Sequence, residues 1–204
     1  MEYAFHVYNK IAADGASMAL DRLLQANLKA KEIKMTGAGT SSPSFYKKSP
    51  VIVCIGSDLA IGDSLGPIVG SMLRYKTQGL NVFLYGTLAA PVTAKEIKYL
   101  RALLKSTHFD RQVIAIDAAI GEEGDVGLIK LNDSPLYPGA GANKKLGEIG
   151  DISVMGIVAE KSVANYGLLN STRLNLVYSM AEIISEALAS LLWERLGSRE
   201  IKNA

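Results

Sequence analysis

The sequence predicts an α/β protein: a three-layer α/β/α arrangement with a central, mostly parallel sheet in a single domain. Three observations carry this reading. Apolar runs rich in Val and Ile recur without alternating polar positions, as in strands buried on both faces. Segments with apolar residues at helical spacing separate the first three of these runs, the alternation that joins parallel strands by crossover helices. The chain of 204 residues, 49% hydrophobic and 21% charged, is long enough for one sizeable core and requires no second.

In chain order, residues Ala16 to Ile33 place Ala19, Leu20, Leu23, Leu24 and Leu28 on one helical face and leave Asp21, Arg22, Lys29 and Lys31 for the wet one. The stretch TGAGTSSPSFYKKSP, Thr36 to Pro50, is rich in Gly, Ser and Pro and reads as a connection. Residues 1–48 are therefore expected to be an N-terminal helical extension and linker, 49–197 the α/β/α domain and 198–204 a tail. Val51 to Ile55 is the first strand, and Leu65, Ile68, Val69, Met72 and Leu73 share a helical face, with Pro67 in the first turn. Asn81 to Tyr85 is a second strand, Thr93 to Ser106 a helix, and Gln112 to Asp117 a third strand. Val126 to Leu131 and Ile152 to Val158 are further strands, separated by PGAGANKKLGEIG. The last helix runs from about Ser171 to Leu196, capped by Asn170 or Ser171 and ended by Gly197.

The formal charge of +2, with no recognised module, argues against nucleic acid as a partner. The single cysteine, Cys54, excludes an internal disulfide and reads as a small hydrophobe of the first strand in a reducing compartment. The N-terminus, MEYAFHVYNK, has no signal-peptide pattern, and no apolar run approaches the roughly 20 residues of a membrane helix. The expectation is a cytoplasmic protein with no membrane contact, and the oligomeric state stays open.

The chemistry concentrates in two acids. In VIVCIGSDLAIGDSLGP a strand breaks into a glycine-punctuated loop that delivers Asp63 to the start of a helix, and in VIAIDAAIG a strand closes on Asp117. Ligands of open α/β sheets gather at the carboxyl ends of the strands, so two acids there can face one cleft if their strands are near each other. Such a pair can share a proton, bind a divalent metal, or divide water activation from leaving-group protonation. The competing reading of Asp63 is a helix cap, and that of Asp117 a turn-stabilising residue. Phosphate binding is rejected: Gly56, Gly62 and Gly66 do not make G-x-G-x-x-G, and Asp63 puts negative charge where a phosphate would sit. The two histidines, His6 and His108, are expected on the surface, His108 at the far end from the acids.

The segments CIGSDLAIGDSLGP, YGTLAAPV, VIAIDAAIG, PGAGANKKLGEIGDISVMGIV and LNSTRLNLVYSMAEII, in that order, resemble the YyaC-type sporulation proteins of spore-forming bacteria. The likeness runs from about Ser49 to Leu196. It implies a spore protease related to the spore germination protease and, more distantly, to the endopeptidases that mature nickel-iron hydrogenases. The implied fold is three-layer α/β/α of the phosphorylase/hydrolase kind, and the implied location is the forespore or mother-cell cytoplasm. The germination protease carries one essential aspartate in D-A-L-G-P, matched here by D-S-L-G-P at Asp63, and a second closing a V-I-A-x-D strand, matched by Asp117. The hydrogenase-maturing enzymes take a nickel-binding histidine from the loop corresponding to Pro138 through Gly147, where this chain has Asn143, Lys144 and Lys145. No metal and no cofactor are therefore expected.

The functional expectation is a sporulation-associated peptidase with Asp63 and Asp117 as catalytic acids. Gly56, Ser57, Asp58, Gly86, Thr87, Asn143 and Lys144 would hold a protein or peptide substrate. The alternatives are a noncatalytic binding or regulatory sporulation protein on the same fold, and a metal-binding relative of the hydrogenase-maturing enzymes.

Overall fold

A computed structural model of the chain describes residues 1–36, 48–138, 146–161 and 172–197. In order, the elements are β1 (Glu2–His6), α1 (Ala12–Thr36), β2 (Val51–Cys54), α2 (Leu65–Lys76), β3 (Phe83–Tyr85), α3 (Ile97–Thr107), β4 (Val113–Gly121), β5 (Leu128–Asn132), β6 (Ile152–Glu160) and α4 (Leu174–Leu192). A 3-10 turn, Gly62–Ser64, leads into α2, and a π-helical turn, Trp193–Gly197, follows α4.

The strands form one six-stranded sheet in the order β1-β5-β6-β4-β2-β3. β3, β2, β4 and β6 are mutually parallel, and β5 is antiparallel to both of its neighbours. The chain goes from β2 out to β3 and then back past β2 to β4. Right-handed crossovers in opposite directions put α2 and α3 on opposite faces of the sheet. The residue-by-residue alternation of strand side chains completes the layers. Ile52, Cys54, Ile114 and Ile116 pack with Leu65, Val69 and Leu73 of α2, Leu20, Leu23 and Leu24 of α1, and Val177, Ile184 and Leu188 of α4. Val51, Val53, Val113 and Ala115 face the other way, onto Ile97, Leu100 and Leu104 of α3. The expected three-layer architecture is therefore present in a single domain.

Several details differ from expectation, and one expectation falls on residues that are not described. The N-terminal segment is more than a helix, because Glu2–His6 pairs antiparallel with β5 as an edge strand and α1 lies in the same core as α2 and α4. The helix expected from Thr93 starts at Ile97, because the Glu96 carboxylate accepts hydrogen bonds from the Thr93 N–H (2.9 Å) and hydroxyl (2.5 Å), closing a turn before it. Leu174–Gly197 is, by length and composition, apolar enough to cross a membrane, and 56% of its most apolar window is buried inside the fold. Such burial is what a core helix needs, and this one packs against α1 and α2. Arg173 is extended just ahead of α4, and the expected caps Asn170 and Ser171 lie outside the described residues.

Leu23 and Leu24 are fully buried. Leu23→Ala or Leu24→Ala is expected to lower global stability by about 2–5 kcal/mol, the cost of a core cavity, in a single denaturant transition. Equilibrium unfolding checks this, since a loosely attached helix would leave the main transition in place.

Candidate active site at the carboxyl ends of β2 and β4

The reversal of chain direction about β2 makes the gap between the carboxyl ends of β2 and β4 the topological switch point of the sheet, where open α/β folds bind ligands. β2 ends with Cys54 opposite Ile116 of β4, and the Ile55 N–H still reaches the Ile116 carbonyl at 2.8 Å. Asp117 is the next residue. It does not close its strand, as expected, because β4 continues to Gly121 against β6. It is instead the first residue of β4 beyond the end of β2, beside the loop that carries Asp63.

That loop is held by its own backbone. The Gly56 N–H donates to Val92 (3.0 Å), the Ser57 N–H to the Asp63 carbonyl (3.0 Å), and the Asp63 N–H to the Ala60 carbonyl (3.1 Å). The Ser57 hydroxyl accepts the Leu59 N–H at 3.2 Å. Gly56 adopts φ +140°, and a Cβ there would lie 2.1 Å from the Asp63 carbonyl oxygen, so only glycine lets the chain fold back this closely. A Cβ on Gly66 would lie 2.0 Å from the Ile55 carbonyl oxygen, so this glycine lets the first turn of α2 sit directly on the end of β2. The segment D-S-L-G-P thus places Asp63 one short turn before a helix that is pressed onto the strand. The residue capping α2 is Ser64, which makes no side-chain cap, and its hydroxyl donates to the Ile61 carbonyl at 2.6 Å.

The two carboxylates act on one another. Asp117 is partly buried and accepts its own neighbour's N–H, from Ala118, at 2.9 Å. Burial pushes its carboxyl well above the ordinary carboxylate range, the charge on Asp63 pushes it further, and the Ala118 N–H only partly opposes them. Folding therefore shifts Asp117 towards its neutral form. This raised pKa gives stability that is complete below the unfolded value of about 3.9 and is lost as pH rises through the folded one. Asp117→Asn is expected to flatten that slope and to raise the melting temperature at neutral pH. Thermal melts across pH check this.

Gly56 and Ser57 lie with Asp63 in one loop, whereas Asp58 is exposed at its surface. Gly86 and Thr87, after β3, are buried, and the Thr87 and Ala90 backbones exchange two hydrogen bonds of 3.1 Å. Gly86 sits at φ +91° against the Cys54 carbonyl, so the β3 loop is pressed onto the end of β2. Asn143 and Lys144, and Lys145 beside them, lie outside the described residues. Cys54 is wholly buried, and burial pushes its thiol far up, as suits a small core hydrophobe. His108 is corrected: it is 6% exposed rather than a surface residue, because its ring is covered by Phe83 and Tyr85. Two residues escaped the sequence reading. Gly70 faces Gly86 across the α2–β3 contact, and Leu59, 92% exposed, stands at the tip of the Asp63 loop. The four-residue spacing of Gly66 and Gly70 on one helix face is the signal that could have marked the close approach.

Among the described residues no group of three His, Cys, Asp or Glu side chains is placed to hold a metal ion. The arrangement offers one carboxyl shifted towards its neutral form beside a second acid whose charge contributes to that shift, a polarity suited to acid-base chemistry on a single water.

Comparison with known proteins agrees with the resemblance at the level of family. A family model described as a protein of unknown function, DUF1256, matches residues 25–187. The uncharacterized protein YyaC of Bacillus subtilis (strain 168) is 43% identical over 142 residues, covering 70% of this chain and 69% of the relative. With β2 through most of α4 inside the matched region, the chain belongs to the DUF1256 family.

Proposed function

We propose that this protein is a sporulation-associated cytoplasmic peptidase that hydrolyses a protein or peptide substrate with Asp63 and Asp117. The observation that carries the reading is the coupling of two carboxyls at the switch point, one of them held towards its neutral form. Charged Asp63 takes a proton from a water as the water attacks the scissile carbonyl carbon. Neutral Asp117 hydrogen-bonds the carbonyl oxygen and then protonates the departing amine, and each acid ends in the other's starting state. The rigid loops at Gly56–Ser57 and Gly86–Thr87 would position the peptide backbone. The likeness to the germination protease at D-S-L-G-P and V-I-A-I-D supports the same assignment.

The test is to incubate wild-type protein, Asp63→Asn and Asp117→Asn with a sporulating-cell proteome and to sequence new peptide termini. Termini made by the wild type and by neither variant are expected. Equal cleavage by all three, or by none, contradicts the proposal. One observation favours a second, noncatalytic reading: Leu59 is 92% and Leu88 45% exposed on the two loops beside the acids, as in a protein-recognition rim. In that case the aspartate variants would retain partner binding that Leu59→Ser loses.

A further inference from the structure

His108 lies where α3 turns into β4, with its Nε2 2.8 Å from the Tyr85 hydroxyl and its ring centroid 4.6 Å from that of Phe83. Its Nδ1 is, among the described residues, the one buried side-chain nitrogen or oxygen without a hydrogen-bond partner. Arg111 lies over the Phe83 ring at 4.6 Å and donates to the Ser49 carbonyl at 2.9 Å. Asp110 pairs with Lys48. The groups facing the ring are therefore the Tyr85 hydroxyl from β3, Arg111 and Asp110 from its own turn, and Lys48, which is neutralised by Asp110, from the approach to β2.

We propose that His108 is an acid-sensitive latch. While neutral it ties Tyr85, the last residue of β3, to the α3–β4 turn, and when protonated it releases this corner and loosens the adjoining Gly86–Thr87 wall. A neutral imidazole supplies one donor and one acceptor, so the Tyr85 contact can be made while Nδ1 keeps an unpaired lone pair. An imidazolium carries a proton on both nitrogens, and the Nδ1–H would be buried with no acceptor, beside the Arg111 cation. Burial first and Arg111 second accordingly hold the His108 pKa below its ordinary value, against a smaller opposing pull from Asp110. The stability so conferred is present above the unfolded value of about 6.5 and is lost as pH falls towards and through the folded one. Release at Tyr85 bears directly on the next residue, Gly86, whose backbone runs so close to the end of β2 that a Cβ there would lie 1.8 Å from the Cys54 carbonyl oxygen.

The experiment is amide hydrogen exchange of residues 83–88 and 107–112, with imidazole NMR, from about pH 8 to about pH 5 on wild type, His108→Gln and Tyr85→Phe. In the wild type, protection of both segments is expected to fall about tenfold per pH unit between the ordinary and the folded His108 values, while β6 stays protected. His108→Gln, which cannot take up the proton, is expected to show no such fall. Tyr85→Phe, which removes only the hydroxyl, is expected to be less protected already at pH 8. Wild-type protection that is flat across His108 titration, or an equal fall in His108→Gln, overturns the latch. If His108→Gln does not fold, Tyr85→Phe decides: protection identical to wild type at every pH overturns it. None of these readouts depends on peptidase activity.

Discussion

Asp117→Asn is expected to abolish hydrolysis, by at least about a thousandfold, in a protein that folds and is more stable than the parent at neutral pH. The two effects have one cause. Asp117 is held in a partly buried position beside the charge of Asp63, which costs folding energy whenever Asp117 ionises and, in the proposed reaction, leaves it a proton for the departing amine when it does not. Asparagine removes the ionisation and with it the transferable proton, while its similar shape leaves β4 undisturbed. Turnover of a substrate identified from the proteome, together with thermal melts, checks both halves. Loss of activity accompanied by loss of fold would show only that Asp117 is structural. Asp63→Asn should also stop hydrolysis, through loss of the group that in the proposed reaction takes the water's proton, and it should bring the Asp117 carboxyl back towards the ordinary range.

Gly70→Ala should be among the most damaging single substitutions for stability, although alanine favours a helix by about 1 kcal/mol over glycine. A Cβ at position 70 would lie 1.8 Å from the Gly86 carbonyl oxygen, and backbone cannot swing aside as a side-chain tip can. Either α2 lifts from the sheet or the β3 loop moves off Cys54, and the expected loss is about 3 kcal/mol or more, by overpacking. Gly86→Ala adds strain at φ +91° to a Cβ placed 1.8 Å from the Cys54 carbonyl oxygen. Gly79 is the control. It also has φ +91°, but nothing lies within 4 Å of its Cβ position, so Gly79→Ala should lose only the conformational share. Chemical denaturation of the three variants separates the terms, and equal losses at all three positions would refute the packing argument.

The buried strands were legible because VIVC and VIAI are apolar on both faces and need helices over each. β1 was not, since five residues with only Tyr3 and Phe5 packed inward carry little periodic signal beside the strong helix that follows. The two acids could be picked out because a carboxylate at the end of an apolar run needs a reason to be there. Their mutual action could not, because it depends on β4 lying next to β2, and strand order is a property of the crossovers. The same holds for His108: its burial comes from Phe83 and Tyr85, residues of another strand. The Gly70–Gly86 contact is likewise tertiary. A helix glycine announces weak propensity, and its meaning appears only when the facing carbonyl is in place.

The coupling of Asp63 to Asp117 is measured directly by carboxyl carbon NMR of Asp117 in wild type and in Asp63→Asn. Wild-type Asp117 should titrate well above the ordinary aspartate range, and removal of the Asp63 charge should lower it while burial keeps it raised. An Asp117 that titrates near its ordinary value of about 3.9, or one indifferent to Asp63→Asn, would mean that the two acids do not act as a pair.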